Sequence, residues 1–452
     1  TAVGFTAPIL RRRNRWIPRQ QNPLPSRYWI ERCRNCGHAQ TFAEDLQRTG
    51  CDDCGTPQGD SFNYYQIAIP LAFRTDLSAG KDAKEEDDVF FGIPSSIAES
   101  SDSPGNDAEL WNTKLSFLRE CRVWRVNDNS GHLFHGSITR TEGYLNKNGQ
   151  MIGRPFLAGQ WISSDYLDRV GGSSRDGGEE IAIAAGKTTD VLRFRPRSIP
   201  CGLNLDPVHP YSTNVIPNVC VKAAIYSASF LLRAAVAGEL DIDPEEIEIC
   251  NYRRLETADG GYIGEIALSD RLPNGAGFVS WISDNWENIL ESMLSRTPGP
   301  FAKQVISEEH RLKCDSACYD CIKVYRNMVY HGLLDWRLGM SYLRILGDPG
   351  YQAGLDGDFM HPELVDWIDL AEKVRNNFIS QFHHYTPADW EGLPGFRAGE
   401  LNVIVVHPLW NVRDPKGILM EAVAKAATDV RFLDTFNLLR RPGRCYEGLC
   451  RR

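Results

Sequence analysis

A mixed α/β fold follows from three features of the sequence. Runs rich in aromatic and β-branched residues alternate with a few strongly apolar helical stretches. Two tight cysteine clusters interrupt them, and the last fifty residues show a strand–helix–strand order. The predicted architecture is an N-terminal cysteine ribbon, a central mixed sheet with flanking helices, a second cysteine-bearing helical segment and a small C-terminal α/β unit. Residues 1–62 form the basic arm and ribbon, 63–300 the core with an acidic loop at 78–109, 301–346 the second cysteine-rich segment, and 347–452 the closing unit. At 452 residues, 42% hydrophobic and 24% charged, the chain is long and apolar enough to bury a core without staples.

The formal charge of −9 excludes a uniformly basic surface of the ribosomal kind. It leaves room for a local basic groove, because much of the acid sits in the 82–109 stretch. No membrane span is expected, since no run of about 18 apolar residues is present. The chain opens at Thr1 without a secretory signal pattern, as a processed protein or a piece of a longer one would. Thirteen cysteines, an odd number, point to a reducing compartment and thus to the cytoplasm.

Taken in order, residues 1–30 carry Arg11, Arg12, Arg13, Arg15, Trp16 and Arg19 in an extended, proline-containing segment. YYQIAIPLAF from Tyr64 predicts a strand ending at Pro70, and the polar 78–109 stretch predicts a loop. VWRVNDNSGHLFHG from Val123 predicts a hairpin about a turn at Asn127 to Gly131. Residues 168–180 read as a Gly/Ser loop and TDVLRF from Thr189 as a strand. Val221 to Glu239 has the spacing of an apolar helix, stopping at Gly238 and DIDP. Strands follow near Ile247 and from Tyr262 to Leu268. After the glycine turn Asn274 to Gly277, a single helix is expected from Phe278 to Leu294. A second is expected from Tyr325 to Leu346 and a third from Pro362 to Phe382. The closing unit comprises a strand at 401–409, a helix from Lys416 to Ala427 and a strand at 430–439.

The chemistry lies in the cysteines. Cys33-x-x-Cys36 and Cys51-x-x-Cys54 stand fourteen residues apart, the arrangement that sets four thiolates around one zinc ion. Gly37 and Gly55 permit the tight turn behind each pair. A closed four-sulfur site leaves no position for water, so it folds its segment rather than catalysing. Cys314, Cys318 and Cys321 supply three further ligands, with His310, His331 or Cys250 as the fourth. Two zinc ions are therefore expected, with an iron–sulfur cluster as the alternative at the second position. The six scattered cysteines read as ordinary buried thiols.

Other motifs fail. Gly186-Lys187-Thr188 ends like a phosphate-binding loop, but Ile181 stands where its first glycine is required, and a strand follows where a helix should open. The glycine turn before Phe278 reads as a packing turn in preference to a phosphate seat. His383 and His384 lack metal partners in the sequence, and no catalytic residue is assigned.

The succession of CxxC…CxxC, IAIPLAF, VWRVNDNSGHLF, TDVLRF, ELDIDPEEI, SDRLPNGAGF and CDSACYDCIKVYRNMVYHGLLDWRLG resembles the MrfA-like zinc-binding domain. This domain of unknown function lies at the C-terminus of DEAD/DEAH-box helicases, including repair helicases and subunits of the DISARM and Druantia defence systems. The resemblance covers about 30–345, and Asp335-Trp336-Arg337 closes its most specific motif. It implies a zinc-containing, non-ATPase module that works with a superfamily-two helicase motor on DNA, in repair or phage defence. Cys314, Cys318 and Cys321 correspond to family zinc ligands, although the family uses a fourth cysteine that this chain lacks. Candidate DNA contacts are Arg11, Arg12, Arg13, Arg15, Arg19, Lys323, Tyr325, Arg326, Arg440, Arg441 and Arg444. The rival expectation is a scaffold that regulates the motor without touching DNA. Tyr325, Asn327, His331 and Asp335 are expected on one helix, their shared face supporting the metal.

Overall fold

The structure, a computed structural model, describes residues 2–5, 9–12, 15–18, 22–59, 61–75, 95–99, 105–138, 144–145, 151–152, 160–164, 178–208, 219–427 and 429–450. Arg13, Arg19, most of the acidic loop and nearly all of the 168–180 loop lie outside them. Its contacts group into two compact units, residues 1–101 with 122–188, and residues 102–121 with 189–452.

The first unit is built on antiparallel pairing of Ser26–Cys33 with Phe62–Ile69, in continuous register from Ser26 opposite Ile69 to Cys33 opposite Phe62. Alternation places Ile30 and Ile67 on one face, where they pack with Trp124 and Ala182. That register also delivers Cys33 to the strand end where a metal knuckle begins. The strand expected from TDVLRF is longer than its motif, Glu179–Pro196, and contains Gly186-Lys187-Thr188. Gly186 is required by packing: a Cβ there would lie 2.7 Å from the Trp124 ring. The predicted hairpin needs correction. Thr113–Asn127 and Phe134–Ile138 flank the expected turn, but Phe134–Ile138 pairs with Trp161–Ser163 and Glu179–Pro196 instead. Val123 to Val126 meets Ser95–Ala98, a strand in the stretch expected to be loop. The basic arm is a hairpin, Ile9–Arg12 against Arg15–Pro18.

The second unit is organised by the helix Cys220–Leu240, whose residues are buried on almost every side. It is long and apolar enough to cross a membrane, yet 72% of its most apolar window is buried inside the fold, as in a core helix. One side rests on the antiparallel pair Ile247–Glu256 and Tyr262–Asp270, where Ile225 occupies the space above Gly264. The other side meets the helix Trp336–Gly347. Gly339 permits that crossing, since a Cβ would sit 2.9 Å from Ser227.

Two expected helices are interrupted and a third is shorter than predicted. Phe278–Leu294 breaks at Asn285 into Phe278–Asp284 and Trp286–Leu294. The Asp270 carboxylate accepts from Ala276 N, Gly277 N and Val279 N, so the glycine turn is a capped packing turn. Tyr325–Leu346 divides into a 3-10 turn, Tyr325–Tyr330, and the helix from Trp336, with Asp335 as N-cap. The helix expected over Pro362 to Phe382 runs Trp367–Gln381.

The last sheet joins Thr386–Trp390, Leu393–Ala398 and Leu401–Val406 antiparallel, then Val430–Asp434 parallel after the helix Gly417–Ala426. A helical crossover is the ordinary way to add a parallel strand. The chain then turns helical at Thr435–Arg440, where a strand was expected.

Candidate metal centres

In the first unit, both knuckles form as their glycines predict. Gly37 and Gly55 hold positive φ of 81° and 70°, and their amides donate to Cys33 O and Cys51 O at 2.8 and 2.9 Å. The sulfurs of Cys33, Cys36, Cys51 and Cys54 lie within 4.8 Å of one another. Cys33–Cys54 and Cys36–Cys51 are each 3.6 Å apart. Such crowding resists full ionisation without a cation. A hydrogen bond from Cys36 draws Cys33 down to about 4, the same pairing pushes Cys36 up, and burial raises Cys51 to about 12. Around the thiols, buried His38 sits between Glu31 at 2.6 Å and Asp53 at 3.1 Å, a network the cysteine spacing did not announce.

The second cluster, in the second unit, settles which histidine joins it. His310 Nε2, Cys314, Cys318 and Cys321 share a 4.8 Å envelope, with His310 Nε2 3.4 Å from Cys318 Sγ. His310 Nδ1 lies 2.6 Å from Val305 O, which can only accept, so the proton is on Nδ1 and the Nε2 lone pair is available to a metal. His331 stands apart from the cluster, bonding Asn327 Oδ1 at 2.9 Å and Val324 O at 3.1 Å. Cys250 donates to Ser269 instead. The Cys318 amide donates to Cys321 Sγ at 3.1 Å, and a hydrogen bond from Cys314 draws Cys321 down to about 5 while Cys314 rises.

The Asp-Trp-Arg motif holds this cluster from behind. Asp335 caps its helix by accepting from Arg337 N and Leu338 N. Trp336 Nε1 and Arg337 Nη1 both donate to Cys314 O, at 3.1 and 2.7 Å, and the indole packs on His310. Trp336 is thus at once a core residue and a support for a ligand. The single supporting helix face expected for Tyr325, Asn327, His331 and Asp335 is not formed, because the chain leaves helical geometry between Tyr330 and Trp336. Of the six scattered cysteines, Cys220, Cys250 and Cys445 are buried; Cys121 is half-buried, and Cys201 and Cys450 are exposed.

The candidate basic contacts fall into distinct settings. Arg11, Arg12 and Arg15 belong to the N-terminal hairpin. Lys323 is half-buried, Tyr325 is exposed, and Arg326 is paired with Glu245. Arg440 is turned inward, donating to Leu334 O and Asp335 over the Phe436 ring. Arg441 is half-buried and Arg444 exposed.

Both donor sets fit zinc: four thiolates in one, three thiolates and one imidazole in the other. Neither leaves an open position, so the fold and its sites define a module carrying two structural zinc sites. Over 159 residues, 34% of its length, the chain is 29% identical to Druantia protein DruE of Escherichia coli (strain UMEA 4076-1). That match spans 8% of DruE, so the chain corresponds to a small part of this relative. It agrees with the resemblance to the MrfA-like zinc-binding domain, which has a Druantia member. Among solved structures, the crystal structure of DUF1998 helicase MrfA bound to DNA is similar with a TM-score of 0.29 and 13% identity, over 58% of this chain and 26% of that one. No protein-family model matches the chain.

Proposed function

We propose that this chain is a zinc-binding, DNA-binding accessory module or subunit of a superfamily-two helicase complex, cytoplasmic, acting in anti-phage defence or DNA repair, with the ATPase in another domain or chain. The observation that carries the reading is the pair of closed four-ligand cages in a chain similar to part of a Druantia protein. Zinc orders the ribbon and the Cys314–Cys321 loop, and the residues beyond each are then available to a partner. DNA would be held by Arg11, Arg12, Arg13 and Arg15, by Lys323 and Tyr325, and by Arg441 and Arg444, through phosphate contacts and stacking. Arg440 is assigned a structural part, because its donors are used within the fold. The four-part division into arm and ribbon, core, second cysteine segment and closing unit is retained as a proposal about how these tasks are distributed.

Filter binding of the zinc-loaded chain to DNA across a salt series tests this reading. Binding should weaken steeply with salt, and Lys323→Glu combined with Arg441→Glu should weaken it further and flatten the slope. Absent or salt-independent binding would overturn DNA contact. A second reading, a scaffold that engages only the motor protein, draws support from exposed Leu312, Tyr319, Met328 and Val329 around the second cage.

A further inference from the structure

Within the second unit, well away in sequence from either cysteine cluster, the hairpin Asn106–Leu110 and Thr113–Phe117 turns at Trp111 and Asn112. A cavity of about 430 Å³ opens beside this turn, lined by Trp111, Asn112, Lys114, Arg195, Arg197 and Glu109. Its volume falls in the range of small-ligand sites. The floor is rigid. Asn112 is buried and donates to Ile345 O at 2.8 Å and Ser198 O at 3.3 Å, while accepting from Ser198 Oγ at 2.8 Å. Its amide and carbonyl are tied to Leu346 O and Arg197 N.

Trp111 is the anomaly. It holds a left-handed φ of 50°, where glycine or asparagine is the comfortable residue, and it leaves 43% of its surface exposed. A strained backbone at a half-exposed tryptophan that lines a cavity, its ring seated beside Gly347, has the form of a binding platform. The charges at the cavity are positive in excess. Lys114 pairs with Asp107 at 3.0 Å, Arg197 with Glu109 at 2.8 Å, and Glu265 is shared between Arg195 and Arg193 at 3.6 Å each. Among the residues that line the cavity, the three cations Lys114, Arg195 and Arg197 stand against the single carboxylate of Glu109. The Lys114 and Arg197 pairs are solvent-exposed and weak, so a phosphate can replace the carboxylate in each.

We propose that this cavity binds a nucleotide unit, the base stacked on Trp111 and the phosphate held by Lys114, Arg195 and Arg197. A free mononucleotide and one residue of a single-stranded nucleic acid present the same chemistry. The proposal stands apart from the DNA-binding reading, since a free nucleotide satisfies it.

The test is calorimetric titration of the zinc-loaded chain with dAMP and, separately, with a five-residue oligodeoxyadenylate. Trp111→Asn removes the ring and places a residue suited to left-handed φ, so the thermal midpoint should stay within a few degrees of the parent. That variant should bind about tenfold more weakly, Trp111→Phe should keep most of the affinity, and Lys114→Gln with Arg197→Gln should lose it. dAMP binding with this pattern assigns the site to free nucleotide, and oligomer binding alone with this pattern assigns it to a strand. Failure of the wild-type chain to bind either probe, or unchanged affinity in folded Trp111→Asn, overturns the proposal. Salt-dependent duplex binding that persists in that variant leaves the DNA reading intact, so the two fail separately.

Discussion

At the scale of single residues, the second cage shows how a ligand set can be open in sequence and closed in space. His310 and His331 flank the three cysteines, and spacing alone does not choose between them. The deciding features are local: Ser307 caps the Glu308–Lys313 helix, and that helix points the His310 ring at Cys318 with Nδ1 anchored on Val305 O. His310→Ala should therefore lower zinc from two ions per chain to about one by elemental analysis, whereas His331→Ala should keep both. His407 offers a separate residue-scale outcome. Burial lowers it from its usual 6.5 to about 3, so the folded chain holds it neutral. Its stabilising contribution is complete above pH 6.5 and is lost as pH falls from there toward 3, because the unfolded chain takes up the proton first. The loss amounts to about 1.4 kcal/mol per pH unit within that window. His407→Gln should flatten the dependence of denaturant midpoint on pH between 6.5 and 4.

At the scale of elements, regular patterning was legible and interruptions were not. The core helix, predicted from Val221 to Glu239, forms at Cys220–Leu240, because an alanine-rich apolar run offers the chain one low-energy course. The strands from YYQIAIPLAF and Tyr262 also form, within a residue or two of expectation. The broken helices went unseen because the breaks carry no proline: Asn285 departs from helical geometry while its side chain bonds back to Trp281 O, and the break before Trp336 is made by tertiary partners. Asp335 leaves helical geometry so that its carboxylate can cap the next helix and its amide can donate to Ser227. The hairpin Thr386–Trp390 and Leu393–Ala398 was missed for a different reason. Pro387 and Pro394 argue against strands, and the Glu391-Gly392 turn is a weaker signal than Asn-Gly, although both residues adopt positive φ of 51° and 85°. Asp270 is the cap on which the Phe278–Asp284 segment depends, with three amides on one carboxylate. Asp270→Ala leaves the Val279 amide buried without an acceptor, while the exposed Ala276 and Gly277 amides can turn to water, and should cost about 1–3 kcal/mol in a urea melt.

At the scale of the whole molecule, the mixed class, the first cage and the three thiolates of the second were readable because metal spacing is a local code, whereas the imidazole of the second was not. Strand pairing was not, since VWRVND and HLFHG carry hairpin periodicity yet find other partners. The composition of the second cage has an electrical consequence. A zinc ion with four thiolates carries net −2, and one with three thiolates and a neutral imidazole carries −1. Loading the first cage thus releases up to four protons and loading the second up to three, so the heats of the two steps should respond differently to a change of buffer. With both ions in place the chain is three charges more negative than its formal −9. The zinc ions therefore offer no cationic clamp to a phosphate backbone. Any attraction of that kind has to come from lysine and arginine side chains outside the cages.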